Sequence, residues 1–147
     1  EWELMPLGLD QNVGTLVWSP LSGAKLTGKI GRNRPPAPDS RVATDASWPV
    51  PEDRLFSVTD ALEVVAKEVG RSMPQVALAW LLSRPTVSSI VIGARNEAQL
   101  RDNLAACELK LTADQIATLD KASAIPPAYP YWHQRRTMMT RNPPPVL

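Results

Sequence analysis

Residues 13–29 read VGTLVWSPLSGAKLTGK, a strand-like run followed by a loop of small residues. The apolar and β-branched residues from Val13 to Trp18 predict a buried parallel strand rather than an alternating one, and Pro20 ends it. The small residues that follow expose backbone N–H groups, and Lys29 adds a positive charge, so this loop can approach a phosphate closely. An ordinary turn rich in small residues is the alternative, and composition alone favours neither interpretation.

A second strand followed by polar residues lies further along the chain. Val87–Ile92 predicts another buried strand, and a helix follows it. Arg95 precedes this helix, while Gln99 and Asn103 are four residues apart and share one helical face near its N-terminus. A guanidinium and two amides beside a helix N-terminus suit a phosphate and a purine edge. In the alternative interpretation, Gln99 is only the capping-box partner of Asn96, and Arg95 is only a surface charge.

Capping residues predict where the other helices begin and end. We expect helices to start at Ser57, Ser72, Asn96 and Thr112. The last three are each followed three residues later by a glutamine that completes a capping box. The first of these helices is expected to end at Gly70 and the second before Pro85. The third is expected to turn its apolar residues toward the core, with the single cysteine as inert packing: Leu100, Leu104 and Cys107.

Three segments of the sequence predict secondary structure less clearly than the strands and capped helices do. Residues 1–12 are compatible with a helix broken early by Pro6 and Gly8. Residues 31–53 contain five prolines and almost no periodicity, which predicts a long loop that is either a binding lid or a mobile surface excursion. Proline and aromatic residues return in 125–147, which we expect to form an irregular C-terminal tail.

The order of elements predicts an α/β fold. Strands that alternate with helices indicate βαβ units and a parallel sheet. Yet only two strands are predicted, and a two-stranded parallel sheet with both edges open is not a stable domain. We therefore expect residues 1–147 to form part of a single domain at the end of a larger α/β barrel. The first residue, Glu1, also suggests a processed or partial chain.

Composition excludes several classes of protein. The chain of 147 residues is 44% hydrophobic and 21% charged, which is typical of a globular protein. Its 16 basic and 15 acidic residues leave a formal charge of +1, too small to attract nucleic acid or a membrane surface. One cysteine excludes an internal disulfide and a cysteine-rich zinc site, and we predict no metal. Without an apolar run or a leader pattern, we expect a cytoplasmic protein.

The two junctions together resemble one family closely. Ser-Pro-Leu, then Gly and Leu-Thr-Gly-Lys, follow the first strand, and Gly-x-Arg-x-x-x-Gln-x-x-x-Asn follows the second. These segments resemble the last two cofactor-binding segments of the aldo-keto reductases. Residues 76–82 (VALAWLL) and 111–115 (LTADQ) are similar to the family's helix before the final barrel strand and to the start of its closing helix. The resemblance spans residues 1 to about 133 and implies the C-terminal part of a (β/α)8 barrel, including its last two strands.

The resemblance also implies roles for individual residues toward a nicotinamide cofactor. Trp18 matches the aromatic residue that stacks on the nicotinamide ring, and Arg95 matches the contact to the adenosine 2′-phosphate, which favours NADPH over NADH. Gln99 and Asn103 match the pair at the adenine end. Ala24 departs from the pattern, because many relatives have a glycine there. The remaining implied cofactor contacts, around the pyrophosphate bridge and in the two loops, are Ser19, Pro20, Leu21, Gly23, Leu26, Lys29 and Gly93.

The implied reaction is the NADPH-dependent reduction of an aldehyde or ketone to an alcohol. The family's tyrosine, lysine, aspartate and histidine lie on earlier barrel strands, so we assign no catalytic residue here. Tyr129, Tyr131, Lys29 and His133 are the right types in the wrong segments. The implied partners are a small carbonyl substrate and the remainder of the barrel. The alternative function is a non-catalytic, nicotinamide-nucleotide-binding partial barrel that needs another chain.

Overall fold

A computed structural model describes residues 1–44, 49–137 and 140. Each of the two strands is followed by helices, as the sequence predicts. In chain order they are α1 (Leu4–Gln11), β1 (Thr15–Val17), α2 (Arg41–Thr44), α3 (Glu52–Val69), α4 (Met73–Leu82), β2 (Val87–Ile90), α5 (Glu97–Leu104), a 3₁₀ helix (Ala105–Glu108), α6 (Ala113–Ser123) and α7 (Tyr131–Thr137). None of the helices in these ranges is long and apolar enough to cross a membrane.

Strands β1 and β2 pair in parallel, which confirms the predicted sheet direction. The Thr15 N–H donates to the Thr86 carbonyl and the Val91 N–H to the Val17 carbonyl. Both strands are shorter than predicted, and the first predicted strand is not buried: Leu16 in β1 is 65% exposed, and Trp18, just after it, is 68% exposed. The prediction of burial is wrong because, within the described residues, the sheet has two strands, so their far edges and much of their faces have nothing to pack against.

The hydrophobic core lies among the helices rather than under the sheet. Helix α3 packs against both α4 and α6. The buried side chains of this core are Leu62, Val65, Ala66, Val76, Ala77 and Leu119. Helix α4 is buried on more than one side, since it also contacts β2 and the 3₁₀ helix. It therefore connects the helical core to the strands.

Helix α3 begins five residues before the predicted Ser57 cap, and that prediction is wrong. Its N-cap is Pro51, and Glu52 and Asp53 occupy the first turn, where the helix dipole favours negative charge. The Ser57 hydroxyl instead donates to the Ala122 carbonyl. The predicted end is correct, because Gly70 takes the left-handed C-cap conformation that a glycine adopts without strain.

The predicted N-caps of the later helices are correct, but of the three predicted capping boxes only the one at α6 forms, because the Gln75 side chain pairs with Asp102 and the Gln99 side chain with the Arg95 N–H. The Ser72 hydroxyl accepts from the Gln75 N–H at the start of α4, which ends before Pro85 as predicted. Asn96 accepts from the Gln99 N–H at the start of α5. At α6, Thr112 and Gln115 make both hydrogen bonds of the capping box. The capping residues in the sequence therefore predicted the starts of these three helices correctly.

The predicted inward face of α5 is wrong. Leu100 is 41% exposed and Leu104 is 52% exposed, and Cys107 is also exposed. The inward positions are instead occupied by Asn103 and, in the 3₁₀ helix, by Ala106. The row of apolar residues did not predict the buried face correctly, because the opposite, polar face of this helix packs toward α4.

Helix α1 is not broken by Pro6 or Gly8. Pro6 lies in the first turn, where its missing N–H is not needed. Gly8 is required for packing, because a Cβ there would lie 2.8 Å from the Val13 carbonyl oxygen and 3.3 Å from Thr86 Cγ2. The residue thus marks a close approach between α1 and the start of each strand rather than a break.

The C-terminal segment contains helix α7, so the prediction of an irregular tail is wrong for residues 131–137; residues 138–139 and 141–147 lie outside the described ones. Tyr131 packs against Trp2, with ring centroids 5.4 Å apart, and its Oη donates to Glu3. This hydrogen bond, together with partial burial and the negative charge of Glu3, raises the pKa of Tyr131 above its ordinary value. The contacts join α7 to the start of α1.

The predicted loop 31–53 has more structure than expected. It contains α2, and its last two residues already belong to α3; residues 45–48 lie outside the described part of the chain. Its start is held against α3 by ion pairs from Arg32 to Asp60 and from Arg34 to Glu63. Arg32 also lies over the Phe56 ring, 5.6 Å from its centroid.

Candidate functional site

A cleft of about 610 Å³ lies beyond the C-terminal ends of the two strands. Its walls come from the loop after β1, from α2, from the start of α4 and from the junction between β2 and α5. In parallel α/β sheets this is the end at which ligands bind. The predicted site residues that line it are Trp18, Ser19, Pro20, Leu21, Gly23, Lys29, Gly93, Arg95, Gln99 and Asn103.

Leu26 is the predicted site residue that does not line the cleft. Its side chain packs against the helical core, as that of Leu21 also does in part. By residue 26 the loop has turned back toward α3 and α4, and for this reason Leu26 packs against the core instead of lining the cleft. The Leu26 N–H donates to the Leu21 carbonyl across this turn.

The loop after β1 has an uncommon backbone conformation. Ser22, Gly23 and Ala24 are three consecutive residues with positive φ, at 50°, 63° and 74°, and Ser19 also has a positive φ of 53°. Residues other than glycine rarely adopt this region, so the loop is strained at the serines and at Ala24. Such strain collects at functional sites, where surrounding contacts hold it in place.

The same loop presents backbone donors beside the cleft. The N–H groups of Ser22, Lys25 and Thr27 donate to carbonyls within the loop. Among the described residues, no acceptor pairs with the N–H groups of Gly23 and Ala24. Successive N–H groups without internal partners form a concavity that suits an anion.

The second wall is the start of α5. The Asn96 side chain accepts from the Gln99 N–H at 2.9 Å, and Gln99 Oε1 accepts from the Arg95 N–H at 3.0 Å. Gln99 therefore does reach back over the helix start, as the alternative interpretation expected, although it reaches one residue beyond the cap. Its amide NH2 has no acceptor among the described residues, so it remains available to a ligand.

Among the described residues that line the cleft, positively charged side chains outnumber negatively charged ones. Of the described residues, Lys29, Arg41 and Arg95 line it, and Asp102 is the one carboxylate that does so. Neither Lys29 nor Arg95 pairs with a carboxylate within the ranges that the structure describes. The Asp102 carboxylate, in contrast, accepts hydrogen bonds from Ser72 and Gln75. The cleft therefore favours a ligand with more than one negative charge.

Asn103 and Trp18 contribute different kinds of contact. Asn103 is 8% exposed, and its side-chain amide finds no partner among the described residues. A buried amide normally has a hydrogen-bond partner, so this one is available to a planar ligand with donors and acceptors on its edge. Trp18 offers a large exposed ring at the other side of the cleft, where a second ring can stack.

Sequence reasoning missed several lining residues. Ser40, which precedes α2, and Arg41 and Val42 in its first turn lie inside the predicted loop, where no periodic pattern marked them. A serine and an arginine at a helix start were the available signal. Pro74 and Asp102 were also missed, because their positions depend on how α4 and α5 pack together.

The positively charged and hydrogen-bonding groups that line this cleft suit the binding of a ligand. Within the described ranges, no group of three or more histidine, cysteine, aspartate or glutamate side chains is arranged to hold a metal ion. Tyr129 and His133 lie together in the C-terminal segment, where Trp132 and His133 meet edge to face at 5.7 Å, and Tyr131 packs against Trp2. They are not among the residues that line the cleft.

Comparison with known proteins points to one family. A family model described as the aldo/keto reductase family matches residues 1–124. A probable voltage-gated potassium channel subunit beta of Arabidopsis thaliana is 36% identical over 114 residues, which cover 74% of this chain and 34% of that protein. An uncharacterized oxidoreductase of Bacillus subtilis, YrpG, is 32% identical over 120 residues, covering 82% and 35%.

A solved structure has the same fold. The thermostable aldo-keto reductase Tm1743, crystallised with the inhibitor epalrestat, superposes with a TM-score of 0.57 at 26% identity and covers 81% of this chain and 33% of that one. The described α/β structure with two parallel strands thus corresponds to part of a barrel, which confirms the predicted fold class. The chain spans about a third of the length of these relatives.

Proposed function

The chain belongs to the aldo/keto reductase family, and from that premise we propose that it serves the NADPH-dependent reduction of an aldehyde or ketone to an alcohol. Its part in this reaction is to hold the adenosine and pyrophosphate portions of the cofactor. The bound cofactor supplies the hydride, and we assign the residues of this chain to binding and orientation only.

The observation that carries the proposal is the arrangement of donors in one cleft. The N–H groups of Gly23 and Ala24, which have no acceptor among the described residues, suit the pyrophosphate bridge. The residues that precede them in the same loop also line the cleft: Ser19, Pro20 and Leu21. Lys29 and Arg95 add positive charge to the same cleft. A dinucleotide with an additional phosphate has the charge that these groups match, which favours NADPH.

The remaining lining residues suit the two rings of the cofactor. We propose that Trp18 stacks on the nicotinamide ring, because its ring is exposed at the end of β1. Gln99 and Asn103 carry amide groups without partners among the described residues and suit the adenine edge. Gly93 leaves the β2–α5 junction open, since nothing lies within 4 Å of where its Cβ would be.

Arg95→Ala tests the cofactor preference. If the Arg95 guanidinium binds the 2′-phosphate, the loss of a charge-assisted hydrogen bond worth about 1.5–3 kcal/mol weakens NADPH binding by roughly 10- to 150-fold. NADH binding should change little. The matched control is Arg101→Ala, since Arg101 lies on α5, the helix that Arg95 precedes, but pairs with Glu97 at 2.6 Å and does not line the cleft. Equal weakening of both cofactors, or of neither, would remove this assignment.

The partners of this function are a small carbonyl substrate and the remainder of a barrel. The exposed side chain of Leu16 on β1 supports the second, because further strands and their side chains would cover it. Intact mass under denaturing conditions tests it. We expect either a species much heavier than 16.1 kDa or a companion fragment, since a barrel of this type needs about 250 residues.

Recovery of the 147-residue chain alone would favour the second candidate, a non-catalytic partial barrel that binds a nicotinamide nucleotide. A turnover assay separates the two functions: NADPH consumption on addition of an aldehyde supports the reductase, and cofactor binding without turnover supports the binding module. The cytoplasmic location stays a prediction.

A further inference from the structure

The carboxylate of Asp102 on α5 is held by two side chains from the start of α4. Ser72 Oγ donates to Asp102 Oδ2 at 2.8 Å, and Gln75 Nε2 donates to Asp102 Oδ1 at 2.7 Å. Each carboxylate oxygen therefore has its own donor, and the two donors lie three residues apart on one helix start. Such a pair fixes the rotation of the carboxylate as well as its position.

The surroundings strengthen this connection between the helices. The negative charge of Asp102 lies at the N-terminus of α4, where the helix dipole favours it. Ser72 also accepts from the Gln75 N–H at 3.3 Å, so the three side chains form one continuous network. Gln75 is 6% exposed, and hydrogen bonds to charged groups in such surroundings are stronger than those at the surface.

Helix α5 has little else to set its orientation. It is eight residues long, Asn103 is its buried residue, and its apolar side chains Leu100 and Leu104 are exposed. Hydrophobic burial, which orients a typical amphipathic helix, therefore contributes little here. The Asp102 network supplies the missing constraint, next in the chain to Asn103 and one turn from Gln99.

We propose that Ser72 and Gln75 are positioning residues for the adenosine half of the cofactor. They hold α5, through Asp102, in the rotation that turns Gln99 and Asn103 toward the cleft. Neither Ser72 nor Gln75 lines the cleft, so neither touches the bound cofactor. This inference rests on the proposed function and names residues that the family resemblance did not include.

The test measures binding of the two halves of the cofactor separately. Gln75→Met keeps the length of the side chain and removes its donor. It also removes Gln75 Oε1, a buried acceptor without a partner among the described residues, so the fold should tolerate the change. We expect 3- to 10-fold weaker binding of NADPH and of 2′,5′-ADP, which carries the adenosine half, and unchanged binding of reduced nicotinamide mononucleotide.

Two comparisons separate positioning from a general loss of structure. Gln115→Met makes the same substitution in the α6 cap, outside the cleft, and should leave 2′,5′-ADP binding unchanged. Ser72→Thr keeps the hydroxyl donor and should bind 2′,5′-ADP as the unmodified protein does, whereas Ser72→Ala should not. In an Asn103→Ala background, the effect of Gln75→Met should shrink, because both changes act on the same contact.

The outcomes distinguish this inference from the proposed function. An unmodified protein that binds neither NADPH nor 2′,5′-ADP overturns both. An unmodified protein that binds them, with Gln75→Met and Ser72→Ala binding 2′,5′-ADP equally well, overturns the positioning role alone. Equal losses for both cofactor halves would also overturn it, since α5 would then have no selective effect. If Gln75→Met fails to fold, the Ser72→Ala and Ser72→Thr pair decides.

Discussion

The indole of Trp80 on α4 donates a hydrogen bond of 2.7 Å to the Asp120 carboxylate on α6, 40 positions later in the chain. Arg84 completes the contact: its guanidinium lies 4.3 Å from the centroid of the Trp80 ring and 3.3 Å from an Asp120 oxygen. Trp80 also packs against the helical core. One carboxylate thus joins two helices at the edge of that core.

Asp120→Ala should lower the free energy of unfolding. It removes a partly buried charged hydrogen bond and leaves the indole N–H without its acceptor, which costs about 1–3 kcal/mol. Denaturant titration measures the loss. Lys121→Ala is the control, because Lys121 is exposed and adjacent on the same helix; it should change stability by no more than about 0.5 kcal/mol. Equal effects of the two changes would show that Asp120 has no special role.

Ala24→Gly should stabilise the protein. Ala24 has a φ of 74°, a region that costs a residue with a Cβ about 1–2 kcal/mol, whereas glycine adopts it freely. Glycine also makes the unfolded chain more flexible, which offsets part of the gain, so we expect a net gain of about 0.5–1 kcal/mol.

Ala117→Gly is the matched control for this change. Ala117 is exposed in the middle of α6, where glycine is unfavourable by about 1 kcal/mol. The same substitution should therefore have opposite signs at the two positions, as measured by thermal or denaturant unfolding. A loss of stability at position 24 would contradict the strain that we assign to the loop.

Tyr131 should titrate above the ordinary tyrosine pKa of 10.0. Its hydrogen bond to Glu3 raises the pKa first, with smaller contributions from partial burial and from the charge of Glu3. The folded state therefore holds the phenolic proton more tightly than the unfolded state. The resulting stabilisation is fully present below pH 10 and is lost as the pH rises through the raised pKa.

Absorbance of the phenolate measures this titration. The chain has two tyrosines, so Tyr129→Phe leaves Tyr131 as the titrating phenol. Adding Glu3→Ala should move the midpoint back toward the ordinary value. A midpoint that does not depend on Glu3 would show that α7 is not joined to α1 in the way described.

Much of the fold could be predicted because local chemistry decides it. Ser72, Asn96 and Thr112 cap helices with their own side chains, and Gly70 ends one by its freedom to adopt positive φ. These interactions lie within a few residues of each other, so the sequence displays them directly. Helix α3 was placed wrongly at its start because Pro51 is the N-cap without a side-chain hydrogen bond, and therefore gives no capping signal.

Much of the candidate site could also be predicted from two short motifs. The residues after β1 and β2 meet at one cleft because the strands are parallel and adjacent, so their C-terminal ends share an edge. Arg41 and Asp102 were missed for a different reason. Their places depend on where α2 and α5 pack, and neither position is marked by a local pattern.

The sequence by itself determined the two parallel strands, the N-caps of α4, α5 and α6, the family and the two loops that supply the candidate site. Those features depend on neighbouring residues or on motifs of fixed spacing. The tertiary structure alone decided which face of α5 turns inward. Asn103 is buried while Leu100 and Leu104 are exposed, because the hydrogen bonds of Asp102 to Ser72 and Gln75 set the rotation of the helix. No periodicity reveals such a contact, since its partners are 27 and 30 positions apart and meet only when α4 and α5 pack.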